Sequence, residues 1–363
     1  MIKKLFGPSI YYASDKNIFE ALTQHKVDSK TIYNLFESRN IIVSKNSDRD
    51  ELAAYFARLN HDYFDHRDIS EKLGVVPRRE RVTSMDIVGE IPFEAVQQAI
   101  ESLKSDMREV GDIVQISRND DNIKVNIQYS HINYKLSEFS QVKVRDGEIE
   151  FVKTENGYLI RNTQNEFINN ARDTIISNIE KSQESEIEKE TVSLFEITSH
   201  QLRNKFFYNL ITKNTGYPKV DVTDVYVYKA KPEDNIESES IEQDTSDAHI
   251  ERVLLRGNDV TRSELLNELV DEDTYYIIKA GWHMRDSLSS GNVYAVEAVF
   301  SDPKECTGFS FLLRGVYPYE EGIVSKKRRS PTSSEINKIS LAIENKSREL
   351  VKELRDEFFK QQS

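Results

Sequence analysis

At Gly111 the hydrophobic period of the chain changes. Upstream, Phe93, Val96, Ile100, Leu103 and Met107 recur at the interval of one helix face, and Pro92 sits where a first-turn proline is tolerated. Downstream, residues 112–130 (DIVQISRNDDNIKVNIQYS) alternate apolar and polar on both sides of Asn119 to Asn122, the pattern of a β-hairpin. The next segment, 141–162, carries Asp146-Gly147 and Asn156-Gly157, dipeptides that accept positive φ in tight turns. It predicts three short strands in a meander. Phe167, Ala171, Ile175, Ile176 and Ile179 then restore helical spacing up to the polar stretch 181–190.

A chain that switches period in this way implies an α+β protein, and its 363 residues exceed what one core usually serves. Three regions are expected. Residues 1–90 predict a helical N-terminal module, with Leu52, Tyr55, Phe56, Leu59 and Phe64 at helical spacing, Asp48 as a cap and Gly74 closing a turn. Residues 91–185 hold the central α/β meander domain, consisting of helix, hairpin, three-strand meander and helix. Residues 190–363 predict a mostly antiparallel C-terminal sheet with helices and a long terminal helix. In this third region a helix through Leu202, Phe206 and Leu210 leads to the strand 220–229. Strands follow at 250–256, 275–280, 293–300 and 308–316, with a helix at 262–270. The segment 231–248, with seven acidic residues and one lysine between 231 and 247, is expected to be a mobile acidic loop interrupting the sheet. Thr332 and Glu335 have the spacing of a capping box. Ile336, Ile339, Ile343, Leu350, Val351, Leu354 and Phe358 then form an apolar stripe suited to packing on the sheet, or to a partner or self-association through 332–359.

Composition narrows the functional classes. The net charge of −13 argues against a surface coated for bulk nucleic-acid binding and leaves room only for local basic patches. No apolar run reaches the roughly 18–20 residues that cross a bilayer, and the N-terminal segment lacks the apolar stretch and cleavage site of a signal peptide. Cys306 is the single cysteine, which excludes an internal disulfide and a multi-cysteine zinc site. A cytoplasmic protein without membrane association is expected.

Phosphate-binding glycine loops and the nucleophile-elbow pattern are absent from the sequence. His61, Asp62, Asp65 and His66 form the densest set of metal-ligand types. Each helical face there offers one His and one Asp, and surface polar packing or helix termination explains them as well. Asp146, Glu148 and Glu150 are the nearest approach to a nuclease-like carboxylate set, but Lys153 falls on the opposite face of its strand; the plain alternative is a charged outer face. Glu297 is a lone acid in an apolar strand, expected to face outward or to be internally paired. Tyr275-Tyr276 and Trp282-His283 suit either a pocket wall or packing.

Three features suggest nucleic acid. Residues 66–87 read as a short helix, a Leu-Gly turn and an arginine-rich second helix that includes Arg78, Arg79 and Arg81, a helix-turn-helix order. The helix from Phe93 and the hairpin bearing Arg118 and Lys124 have the order of a winged helix. Lys326, Lys327, Arg328 and Arg329 precede a helix start, where cations oppose the helix dipole and so are not there to stabilise it. Against this, charge runs are commonly solvated loops, and no aromatic residues interleave with the basic run as a single-strand binder requires.

The function expected from the sequence is a non-enzymatic recognition or regulatory subunit contacting nucleic acid, protein partners, or both. A microbial phage-defence system is one setting for such a chain, although no residue points there. The alternatives are a metal-dependent, nuclease-like enzyme and an oligomerising scaffold. No cofactor is expected; Mg²⁺ or another divalent metal enters only with the enzyme.

Overall fold

Helix starts in the N-terminal region are fixed by side chains that satisfy otherwise free first-turn N–H groups. In the computed structural model, α1 (Asp15–Leu22) starts at Ser14, whose hydroxyl accepts from Asn17 N while the Asn17 side chain accepts from Ser14 N. α2 (Ser29–Glu37) starts at Asp28, and α3 (Arg49–Ala57) at Asp48, which accepts from Asp50 and Glu51 N–H groups. The structure describes residues 13–24, 27–62, 64–66, 68–69, 80–119, 122–135, 138–214, 216–229, 251–257, 260, 263–271, 275–288 and 290–362. The acidic segment expected to be a loop lies outside these residues, as do Gly74, Arg78 and Arg79.

The chain divides into two compact units assembled from interleaved segments: 1–78, 92–150 and 170–185 in unit 1, and 79–91, 151–169 and 186–363 in unit 2. The sequence suggested contiguous regions. Long-range antiparallel pairing of the segment around residue 85 draws it into unit 2 instead.

In unit 1, α1 to α3 close over one core of Ile18, Leu22, Leu35, Phe36, Leu52 and Phe56. Arg49 reaches back and donates to the carbonyls of Leu22 (2.9 Å) and Val27 (2.8 Å), capping the open end of α1. α4 (Phe93–Glu109) buries Val96, Ile100, Leu103 and Met107, the stripe expected from spacing. β2 (Ile113–Asn119) and β3 (Asn122–Ile132) form the expected hairpin, in register from Ile113↔Gln128 to Asn119↔Asn122. α5 (Glu138–Gln141) precedes β4 (Val142–Thr154), which begins in this unit, and α6 (Glu166–Gln183) ends in it.

The meander differs from expectation at one turn. β4 runs unbroken through Asp146-Gly147, so two predicted strands are one. Gly147 is not among the positive-φ glycines, and Asp146 Oδ1 accepts from Gln128 Nε2 at 3.1 Å instead of turning the chain. Asn156-Gly157 does turn: Gly157 has φ +148°, and a Cβ there would overlap the Ile87 carbonyl.

In unit 2 the strands are ordered β5 (Gly157–Thr163), β1 (Val82–Val88), β11 (Thr307–Tyr317), β10 (Val293–Asp302), β9 (Tyr276–Arg285), β7 (Lys219–Tyr228), β8 (Arg252–Arg256), with β6 (Glu188–Thr191) also on β1. All these pairs are antiparallel. β1 replaces the second helix of the helix-turn-helix expectation. The β-branched Val82, Thr83, Ile87 and Val88 favour a pleated neighbour, and β5 supplies one along the whole strand. A small hairpin, β12 (Tyr319–Glu320) and β13 (Ile323–Val324), leads to the terminal helix.

One face of this sheet is the core. Tyr294, Val296, Ala298 and Phe300 alternate inward along β10, beside Ala280 and Trp282 of β9 and Phe309 and Phe311 of β11. α7 (His200–Thr212) and α9 (Ser333–Gln362) cover them with Phe206, Phe207, Leu210, Ile343, Leu350 and Leu354, and α8 (Glu264–Asp271) adds Leu266. Each such side chain, fully buried, contributes about 1.5–3 kcal/mol relative to exposure. The α9 stripe is therefore spent inside unit 2, and its capping box forms: Thr332 N donates to Glu335 Oε2 (2.8 Å) and Glu335 N to Thr332 Oγ1 (3.3 Å). Two ion pairs fasten α9 to the sheet: Arg161 donates to both oxygens of the fully buried Glu344 (2.8 and 2.7 Å), and Arg348 pairs with Asp86 (2.5 Å). Among the described residues no helix is long and apolar enough to cross a membrane.

Candidate functional site

Because side chains alternate along a strand, the residues that leave the unit 2 core gather on the opposite sheet face. Strand register aligns them in rows. Asp224 stands beside Gly281 and Gly281 beside Glu297; Tyr226 stands beside Lys279; Asp221 stands beside His283 and His283 beside Ala295. Arg314 of β11 and Arg81, just ahead of β1, reach into the same group.

Glu297, only 3% exposed, is the centre. Arg81 donates to its Oε1 through Nε (2.8 Å) and again through Nη2, Arg314 Nη2 donates to Oε2, and Lys279 Nζ lies 3.1 Å from Oε2. Arg314 also donates to Asp224, itself 4% exposed, at 3.2 and 3.4 Å, so one guanidinium ties two carboxylates together. Thr223 Oγ1 donates to Asp224 Oδ2 at 2.8 Å. Burying an unpaired carboxylate would cost several kcal/mol, so this arrangement is stable only because both acids are saturated. Two carboxylates face three cations and leave one net positive charge, carried by guanidinium and ammonium groups that remain 16–38% exposed.

Two glycines let charged side chains lie flat on the sheet. A Cβ at Gly281 would overlap the Asp224 carboxylate, and one at Gly315 would overlap the stem of Arg328. Arg328 therefore rests on β11 directly after Arg314, and both cations bear on His283. Burial first, and then these two charges against the pull of Asp221, hold the His283 imidazole below its ordinary value and neutral at pH 7. Burial likewise pulls Arg81 and Lys279 below their usual values, and the Arg81 and Arg314 charges add to the shift at Lys279.

Of the residues singled out in the sequence, Arg81 and Arg328 meet at this face. Lys326 and Lys327 are exposed beside Arg328. Arg329 is engaged elsewhere: its two terminal nitrogens donate to the two oxygens of Glu335 at 2.8 and 2.7 Å. Glu297 is the internally paired acid of the two expected outcomes. Tyr276 and Trp282 point into the core, while His283 is on the polar face.

The other candidates are placed in unit 1. Asp62 caps the helical residues 64–66, its Oδ1 accepting from Phe64 N (2.9 Å) and Asp65 N (3.0 Å). Asp65 accepts from Arg39, and His61 Nδ1 is 3.8 Å from Asp65 Oδ2, with burial lowering the affinity of that imidazole for a proton. His66 packs on Phe139, and its ring nitrogens find no hydrogen-bond partner among the described residues. Asp146, Glu148 and Glu150 lie along β4, Glu148 paired with Lys124 at 2.7 Å. Arg118, the other basic residue of the hairpin, pairs with Glu101 at 3.5 Å. Among the described residues no three His, Cys, Asp or Glu side chains come together in a metal-holding arrangement.

Sequence reasoning missed Lys279, Arg314 and Asp224. The signal was present: Lys279, Glu297 and Arg314 are each a charge flanked by apolar residues or glycine in the interior of a strand. Such charges must either be orphaned or meet one another, and their signs are complementary. By sequence comparison the chain matches no protein-family model and no curated protein.

Proposed function

We propose that the protein is a recognition module that binds nucleic acid through the polar face of the unit 2 sheet. The observation that carries this reading is the gathering of Arg81, Lys279 and Arg314, from three separate stretches of chain, around two buried carboxylates, with Arg328 beside them over Gly315. Guanidinium groups held by buried acids are pre-oriented, so less side-chain entropy is lost when their outer edges meet phosphate oxygens. Lys326 and Lys327 extend the positive potential beyond the sheet. The overall charge of −13 restricts attraction to this patch and disfavours contact elsewhere on the surface.

The test is oligonucleotide binding over a salt series, with the wild type and a Lys326→Ala/Lys327→Ala/Arg328→Ala variant. These three side chains have no role in the buried network, so the fold is retained. Each lost phosphate contact lowers the slope of log affinity against log salt by about 0.7–0.9, so the triple variant should lose about 2–3. No binding at low salt, or an unchanged slope, rejects the reading.

A further inference from the structure

Resting on that reading, the polar face also indicates which form of nucleic acid it accepts. We infer that the ligand is single-stranded, with bases stacked at two aromatic stations, Tyr226 and the Tyr317–His283 pair. Tyr226 is half-buried at the edge of the core, and Lys279 Nζ stands 4.7 Å from its ring centroid, so a cation and an aromatic ring are paired at this station. Tyr317 and His283, both half-buried, meet edge to face with centroids 5.3 Å apart at 68°, an arrangement in which one ring keeps both faces clear of the other. His283 is neutral, so that station offers a flat ring without a competing charge. Basic and aromatic groups that are scattered in the sequence are thus interleaved on the folded sheet, the combination that tracks a backbone while stacking its bases.

The spacing supports the same conclusion. Lys279 beside Tyr226 and His283 beside Tyr317 are four residues apart on β9, about 13 Å at 3.3 Å per residue. That exceeds the ~3.4 Å step between stacked neighbours, so the two stations hold non-adjacent bases with Arg81 and Arg314 between them for the intervening phosphates. Insertion of this face into a duplex major groove is disfavoured by width. β7, β9, β10 and β11 at ~4.8 Å spacing make a face about 14 Å across between outer strands before side chains are added, whereas a major groove of about 12 Å admits a helix or a two-stranded ribbon. A duplex also conceals the base faces that the tyrosines would stack on.

The experiment uses the full chain with three probes of equal length at one low salt concentration: a fluorescein-labelled oligo(dT), its duplex with oligo(dA), and an oligo-glutamate peptide. The single strand should bind at least tenfold more tightly than the duplex. Tyr226→Leu and Tyr317→Leu should each weaken it at least fivefold, and Tyr226→Phe and Tyr317→Phe, which keep the ring, should restore it. Photo-crosslinking of wild-type protein to an oligonucleotide containing 5-iodouracil, mapped by mass spectrometry, should label Tyr226 or Tyr317, which keeps the test decisive even if a leucine variant misfolds. Duplex binding equal to single-strand binding, with no crosslink at either tyrosine, overturns this inference while leaving salt-sensitive nucleic-acid binding standing. Equal binding of the oligo-glutamate overturns it in favour of an acidic peptide. Binding of none of the probes removes both proposals.

Discussion

The carboxylate of Asp224 lies over the bare Cα of Gly281 on the neighbouring strand, where Arg314 and Thr223 hold it. A side chain at position 281 cannot be accommodated without breaking those hydrogen bonds. Gly281→Ala should therefore destabilise the protein by about 1–3 kcal/mol, seen as a lower denaturant midpoint at unchanged slope. In an Asp224→Ala background the same change should cost distinctly less, because the group it displaces is gone. Equal costs in the two backgrounds would refute the contact.

Glu297 neutralises cations from three strands or strand ends, so its removal leaves Arg81, Arg314 and Lys279 facing one another. Glu297→Ala is expected to cost about 2–4 kcal/mol, discounted from the value for a fully buried pair because Arg81 is 38% exposed and can turn to water. Glu297→Gln should recover little, since it restores volume but not charge. Thermal or chemical unfolding of both variants measures this directly.

The start of α9 carries its own acid sensitivity. Hydrogen bonds from Arg329, with those of the Thr332 cap, pull the Glu335 carboxyl down to about 2 from an ordinary 4.5. A depressed carboxyl adds stability above its unfolded value and loses it as pH falls from about 4.5 toward 2. Thr332→Ala should cost about 0.5–2 kcal/mol at neutral pH, and Glu335→Gln should flatten the acid limb of stability against pH. Arg329→Ala should act through this cap and leave the salt slope of oligonucleotide binding unchanged.

A second pH window belongs to the histidines. Burial holds both His61 and His283 below the ordinary 6.5. Below that pH the unfolded chain takes up these protons more readily than the folded one, so stability falls as pH drops from 6.5 toward the folded values. His283→Phe should reduce that loss between pH 7 and 5.5, as read from denaturant midpoints; an unaltered profile would show that His283 does not contribute.

Cys306 is fully buried, and burial pushes its thiol up to about 12. The thiolate is the reactive form, so the native protein should resist a thiol reagent such as DTNB at pH 8 and react at the rate of opening once denaturant is added. Rapid stoichiometric reaction of the native protein would contradict this placement.

The local elements were readable where one period persisted. The α4 stripe, the β2–β3 hairpin, the Asn156-Gly157 turn and the Thr332–Glu335 cap are all encoded within a few residues, because helix faces, pleats and caps depend on neighbours in the chain. Asp146-Gly147 misled because a dipeptide that can turn is under no obligation to do so when strand pairing continues through it. The arginine-rich segment misled for a related reason: Val82 to Val88 has little helical period, and its partner strand lies far along the chain.

What the sequence determined by itself is the alternation that sends Lys279, Glu297 and Arg314 to the side of their strands away from the core. It could not determine that these charges meet. Arg81 reaches Glu297 across 216 positions only because β1 lies next to β11 and β11 next to β10, and Asp224 joins them because the register of β7 shifts between Val222 and Asp224 and Gly281 leaves a space. Strand order is a global property, set when whole apolar faces close against α7 and α9, and the polar face is composed of whatever that closure leaves on the other side.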